Sequence, residues 1–487
     1  METVKVANGF VHGTVKIVLE KEVVEFLCIP YCKPPINELR FQKPQPCTTF
    51  VDNVINKLKF ETCPPQLGLD ILNENKQDED AWVPKEIHDE NSLYINVWCP
   101  LNILKGNKRA PVFVFIHGGA FVSGSSSLDM FNGSLLAIKE NIIVVSFNYR
   151  IGMLGFLCLD DPVAVGNLGI HDQVLALQWI HKNILAFKGD PDNITISGNS
   201  AGGCSISLHL LIKESWPCFS KAMIQSGVCL SDWGVIPKEI MIKRSVLGVN
   251  SILKKLNFPL TWSSKLSTHE KEKIMTFLQS LNFKEFLICK EIVDGFFQFA
   301  WAPCLDGELI TDHPRKLLND GKIKVCPTIF LNTANEGSFF IISRFPNIKI
   351  NENKMIDIQC FDDCFDYYPN HPKKCTELVK DKIKKEYNIE NELSINLLDK
   401  IISDQQFVAS SIEFANIVSR SNKNVYYLWM KTLSKISFSP EWCGVVHGME
   451  VFYLFGFSLG FESNTVNSEK ENIFEFMKQY GKFIRQG

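Results

Sequence analysis

The chain has 487 residues, 45% of them hydrophobic, with 54 acidic against 51 basic side chains and a formal net charge of −3. That size supports a large buried interior, which excludes disordered and fibrous classes, and the interspersed charges offer no basic face to a phosphate backbone, which excludes nucleic acid as a partner. No apolar run approaches the roughly 20 residues needed to cross a bilayer, so small molecules are the expected partners.

The start Met1-Glu2-Thr3-Val4-Lys5 lacks the basic-then-apolar pattern of a secretory signal, and the 16 cysteines are scattered rather than set at short, regular spacings. Both features point to a reducing, cytoplasmic setting. A secreted protein is the alternative, should the amino terminus be incomplete. Cys360, Cys364 and Cys375, with His371 between them, have the donor types for zinc. Their first spacing is CxxxC within a polar stretch that reads as a surface insertion, so neither metal nor organic cofactor is expected. With no internal repeat and no Pro/Gly/Ser-rich linker, residues 1–487 are expected to form one domain.

Along the chain, short β-branched runs alternate with longer amphipathic stretches, the pattern of an α/β fold with a mostly parallel central sheet flanked by helices. The predicted strands run from Val112 to Ile116, Ile142 to Phe147, Ile194 to Ser197, Thr328 to Leu331 and Val425 to Trp429. Lys-, Glu- and Asn-rich segments over 237–290 and 350–396 read as helical or loop excursions. Ligands in open α/β sheets sit beyond the carboxyl ends of the strands, so the loops there carry the candidate chemistry.

The first such loop, His117-Gly118-Gly119-Ala120-Phe121, fits an HGG-type oxyanion loop. Backbone N–H groups of Gly118, Gly119 and Ala120, with that of Ala201, would hold a developing oxyanion, and losing one such donor costs about 2.7–4 kcal/mol. A glycine turn of purely structural use fits the same residues, and His117 reads as a brace rather than a catalyst. The second loop, Gly198-Asn199-Ser200-Ala201-Gly202, fits G-x-S-x-G and follows a strand, the context in which a sharp turn exposes the serine hydroxyl. Ser200 is the candidate nucleophile. The third and fourth carry Glu336, in Asn335-Glu336-Gly337, and His447, in Val446-His447-Gly448. Their order, serine then acid then histidine, is the one this fold requires, which makes His447 the candidate general base and Glu336 the acid that orients it.

Together with Gly9-Phe10-Val11-His12-Gly13, Leu39-Arg40-Phe41, Leu93-Tyr94-Ile95-Asn96-Val97-Trp98, Asn148-Tyr149-Arg150 and Gly189-Asp190-Pro191-Asp192-Asn193-Ile194-Thr195, these segments resemble the type-B carboxylesterase and cholinesterase family over the whole chain. The resemblance implies an α/β-hydrolase fold, a serine esterase acting through an acyl-enzyme, an active-site gorge and Glu as the triad acid. It lies nearest the acetylcholinesterase branch, on Ser123-Gly124-Ser125-Ser126-Ser127-Leu128-Asp129 and Pro440-Glu441-Trp442. That branch implies Trp82 as a cation–π receptor for choline, Phe297 and Phe299 as walls of an acetyl-sized acyl pocket, and Trp233 and Phe339 as further walls. For each aromatic, core packing is the plainer alternative.

Departures from the family pattern matter as much. Asn199 stands where the family has Glu, removing a charge beside the implied choline site; Met449 replaces a Tyr, Ser439 a Trp, and Ser92 a Cys, which leaves Cys63 without its family partner. The closing Lys482-Phe483-Ile484-Arg485-Gln486-Gly487 resembles the segment that precedes the family's last tens of residues. The expected reaction is hydrolysis of choline esters, with a general esterase for uncharged esters as the first alternative and a catalytically weak ester-binding or adhesion protein as the second.

Overall fold

A computed structural model describes residues 1–67, 84–288, 292–293, 296–351, 353–365, 373–389, 393–431, 439–457 and 467–487. Its centre is an eleven-stranded sheet: β1 (Glu2–Val6), β2 (Gly9–Val18), β3 (Lys21–Pro30), β4 (Val54–Asn56), β5 (Tyr94–Pro100), β6 (Ala110–Ile116), β7 (Ile143–Phe147), β8 (Gly189–Asn199), β9 (Lys221–Gln225), β10 (Thr328–Thr333) and β11 (Val425–Met430). Across the sheet the order is β1-β2-β3-β5-β7-β6-β8-β9-β10-β11, with β4 paired to β2.

From β7 to β11 every neighbouring pair is parallel. Strands such as Ala110–Ile116 and Ile143–Phe147 are covered on both faces, which is why they read as continuous apolar runs rather than alternating ones. The antiparallel amino-terminal part, β1 to β3 and β5, lies beyond the strands expected from sequence. In β1 and the first half of β2 alternating residues mark one covered and one wetted face, with exposure alternating over Gly9–Gly13, whereas β3 and β5 are buried through most of their length. The expected strand from Ile194 to Ser197 extends to Gly189–Asn199, with a register irregularity between Gly189 and Ile194.

The sheet separates two apolar cores. One face packs on the helix Leu168–Asn183 and the carboxyl-terminal excursions, with Ile170, Leu177 and Ile180 buried. The other packs on Ser134–Glu140, Met449–Phe455 and Asn467–Gln486, with Leu136, Phe452 and Ile473 buried. The charged excursions are mostly helical: Lys238–Lys255 and Thr268–Ser280 in the first, Gln359–Phe365 and Lys373–Glu386 in the second. Thr268–Ser280 begins with a capping box between Ser267 and Glu270, which satisfies orphan donors of its first turn. No helix among the described residues is long and apolar enough to cross a membrane.

Strand order reverses at β6, which lies between β7 and β8. The loops leaving the carboxyl ends of β6 and β8 are therefore neighbours, and the crevice between them is the expected ligand position.

Candidate active site

Ser200 lies between the end of β8 and the helix Ala201–His209, with φ 58° and ψ −122°. This conformation is uncommon for an L-residue and persists only where the surroundings impose it. Here the Ser200 N–H donates to Gln225 O and the Cys204 N–H to Ser200 O, each at 2.9 Å. Gly202 leaves the room the turn needs, since a Cβ there would lie 2.1 Å from Ile116 O. Ala201 begins the helix, so its N–H is one of the first-turn donors without an intrahelical acceptor.

The loop after β6 meets this turn directly. A Cβ on Gly118 would approach Asn199 O to 2.7 Å and Ser200 Cβ to 3.1 Å, so only glycine permits the contact. Gly119 turns through φ +113°, and its carbonyl accepts from the Val122 and Ser123 N–H groups. Gly118, Gly119, Ala120 and Ser200 all line one cavity. His117 is buried and stacks on Tyr149 at 4.5 Å, and burial depresses its pKa to about 4, so it stays neutral as a brace.

Glu336 begins the helix Glu336–Arg344 and is fully buried. Its Oε2 accepts a 2.6 Å hydrogen bond from His447 Nδ1, while Oε1 accepts from Ser226 Oγ at 2.7 Å, Asn332 Nδ2 at 2.9 Å and the Thr333 N–H at 2.8 Å. Burial raises its pKa, but the hydrogen bond and charge of His447, with the Ser226 and Asn332 donors, outweigh that effect and hold it below the usual carboxylate value. His447 lines the cavity with Ser200. Among the described residues no hydrogen bond joins the Ser200 hydroxyl to the imidazole, a contact that commonly tightens only with substrate bound.

Asn199 also lines the cavity, and its Nδ2 donates to Glu450 Oε1 at 2.5 Å. Glu450 is fully buried, and its Oε2 has no hydrogen-bond partner among the described residues. Desolvation, followed by the nearby Glu336 charge, pushes its pKa up to about 7. No reading of the sequence had singled out this carboxylate, which stands three residues after His447, near the start of the helix Met449–Phe455. Met449, by contrast, is buried in the core on the far side of the sheet from the excursions.

Most of the remaining lining is aromatic. Trp233, Phe297, Phe299 and Phe339 all line the cavity. Phe340 and Phe407 join them, and both were missed: Phe297 lies 4.5 Å from Phe340 and 5.7 Å from Phe407, and Phe407 lies 4.8 Å from the His447 ring. Phe407 is presented by a π-helical turn, Asp404–Val408, of the kind that recurs at functional sites. Trp233 is fixed by its Nε1 donating to Gln406 O at 3.0 Å. Trp82 lies outside the described residues, as do His371 and the side chain of Cys375. Among the described residues no group of three His, Cys, Asp or Glu side chains could hold a metal ion.

The model of the carboxylesterase family matches residues 1–487. The chain is 33% identical to a cholinesterase of Mus musculus over 490 residues, covering 99% of this chain and 78% of that protein. It is 32% identical to an acetylcholinesterase of Bungarus fasciatus over 495 residues, with the same two coverages, and 29% identical to acetylcholinesterase 1 of Caenorhabditis elegans over 496 residues, covering 96% and 76%. On the fold, the serine turn beneath its glycine loop and a match across its full length, the chain belongs to the carboxylesterase family, the carboxylic-ester hydrolases of the α/β-hydrolase fold.

Proposed function

We propose that the chain hydrolyses esters of short carboxylic acids, with Ser200, His447 and Glu336 as nucleophile, base and orienting acid. Ser200 Oγ attacks the ester carbonyl as His447 Nε2 takes its proton, and Glu336 steadies the imidazolium through Nδ1. The N–H groups of Gly118, Gly119, Ala120 and Ala201 receive the oxyanion. His447 then protonates the departing alcohol, and water repeats the cycle on the acyl-enzyme. The observation that carries this reading is the 2.6 Å contact between His447 Nδ1 and a carboxylate whose other oxygen has three donors, in the cavity that Ser200 lines.

Trp233, Phe297, Phe299, Phe340 and Phe407 support a narrow acyl pocket, because five rings leave little room for a long chain. Among the described lining residues there is no Asp or Glu, and Asn199 stands between the cavity and Glu450, which favours an uncharged alcohol over choline. Choline esters are the second reading, favoured by the carboxylate one hydrogen bond behind that wall and by relatives named as cholinesterases. A cytoplasmic setting suits the fourteen described cysteines, all free thiols. A turnover panel of acetyl, butyryl and longer acyl esters, each with a neutral and a choline alcohol, tests the assignment against a Ser200→Ala blank. Fast turnover of neutral acetyl esters supports it, and stoichiometric binding without turnover overturns it.

A further inference from the structure

On the helix Ile395–Ser403 lies a second buried carboxylate, Asp399, hydrogen-bonded among the described residues to neither Ser200 nor His447. Asp399 Oδ2 accepts from Asn335 Nδ2 at 2.7 Å, and Oδ1 accepts from Ser403 Oγ at 3.2 Å; the Ser338 N–H also donates to this carboxylate. Ser403 Oγ in turn accepts from the Gly337 N–H at 2.9 Å. Asp399 and Ser403 thus satisfy first-turn donors of the helix that Glu336 begins, from outside that helix.

Asn335 is the other half of the arrangement. Its Oδ1 accepts from the Val445 N–H and its own N–H donates to Val445 O, both at 3.0 Å, so one residue joins the Glu336 loop to the His447 loop. Ser338 Oγ adds a second tie, donating at 2.7 Å to Cys443 O. The two loops are packed flat: a Cβ on Gly444 would stand 2.2 Å from Asn335 Oδ1. A carboxylate can only accept and an amide does both, so Asp399 fixes which end of Asn335 faces Val445.

We propose that Asp399 is a positioning residue for the reaction: by orienting Asn335 it latches the Glu336 loop onto the His447 loop and sets the contact between the two side chains. This rests on the assignment of Glu336 and His447 as acid and base. A displacement of about 1 Å at a reacting group can cost as much as about 100-fold, so a latch remote from substrate acts on kcat and leaves KM nearly unchanged.

The test compares Asp399→Asn with the swap Asn335→Asp/Asp399→Asn in the full chain. In the single variant an NH2 group replaces one of two acceptors and meets a donor, either Asn335 Nδ2 or the Ser403 and Ser338 side. In the swap, the new carboxylate at 335 accepts from Val445 N–H and from the amide at 399, whose oxygen remains for Ser403 and Ser338, so every donor is again satisfied. For Asp399→Asn, kcat on a neutral acetyl ester should fall about 10–100-fold with KM within about threefold, and the far-downfield proton resonance of the His447–Glu336 hydrogen bond should shift or broaden. The swap should recover most of kcat and the wild-type resonance. If Asp399→Asn retains wild-type kcat and resonance, or if the swap is unfolded or as slow as the single variant, the proposal is overturned. Absence of turnover in the wild-type chain would instead overturn the assignment of the reaction, and the resonance would still decide whether Asp399 sets the contact.

Discussion

Asn199 Nδ2 donates a 2.5 Å hydrogen bond to Glu450 Oε1, so the residue directly before Ser200 faces the cavity and shields a buried carboxylate from it. An amide at 199 keeps the wall neutral, whereas a carboxylate there would stand within hydrogen-bond reach of Glu450. Two carboxylates this close share one proton, and the pair carries about one negative charge at neutral pH.

Asn199→Glu should therefore raise kcat/KM for a choline ester relative to a neutral acetyl ester of similar size. Coulomb attraction at about 5–6 Å and an effective dielectric of about 20 is on the order of 3 kcal/mol before desolvation is subtracted, so a net gain of about 1 kcal/mol is expected in the ratio. Using the ratio cancels any change in the His447 imidazole that affects both substrates. An unchanged ratio would mean that the alcohol group does not sit near position 199.

Glu450 also predicts a pH dependence of stability. In the fold it keeps its proton up to about pH 7, whereas the unfolded chain releases it near 4.5. Between those values the native state binds more protons than the unfolded one, so stability falls as pH rises through the window, by about 3 kcal/mol in total. Glu450→Gln has no such group and preserves the acceptor for Asn199. Urea unfolding at pH 4.5 to 7.5 should show wild type losing stability relative to the variant across this range; parallel curves would mean that the carboxylate is hydrated in the fold.

Phe297 packs against both Phe340 and Phe407, with centroids 4.5 and 5.7 Å away. Phe297→Val should open the acyl pocket and raise kcat/KM for a butyryl ester relative to an acetyl ester by about 10-fold, the scale of a methylene or two in an apolar pocket. An unchanged acyl preference would place the acyl group elsewhere.

The fourteen described cysteines are free, and only Cys47 and Cys360 among them are partly exposed. Burial raises the thiol pKa of Cys28, Cys63, Cys99 and Cys229, to about 11 or 12 in each case, which slows their reaction as thiolates. Under denaturing, non-reducing conditions at least fourteen thiols should titrate, while the native protein reacts with most of them slowly. A denatured count below fourteen would reveal disulfides.

What was legible in the sequence is what is local. The strand–serine–helix turn is written in five consecutive residues, Gly198 to Gly202, and the glycine loop in four, because each geometry needs small residues at fixed offsets. Glu336 and His447 are 111 residues apart, yet each stands in a short segment resembling a family pattern, and they meet at 2.6 Å. Phe407 carries no such mark: it reaches the cavity through a π-helical turn. Glu450 resembles any helical glutamate until its burial against Asn199 is known. β1 and the first half of β2 were missed because alternation over about five residues is a weak signal beside the apolar runs of the parallel strands, while the apolar run of β3 was passed over.

The account rests on a single reactive hydroxyl at Ser200, and covalent labelling by a fluorophosphonate followed by peptide mass spectrometry tests it most directly. One adduct per chain, on Ser200 alone and abolished in His447→Ala, is the predicted result, since the proposed base and oxyanion donors surround that hydroxyl. An unmodified Ser200 after prolonged exposure of the folded protein, or an adduct on another serine, would contradict the account.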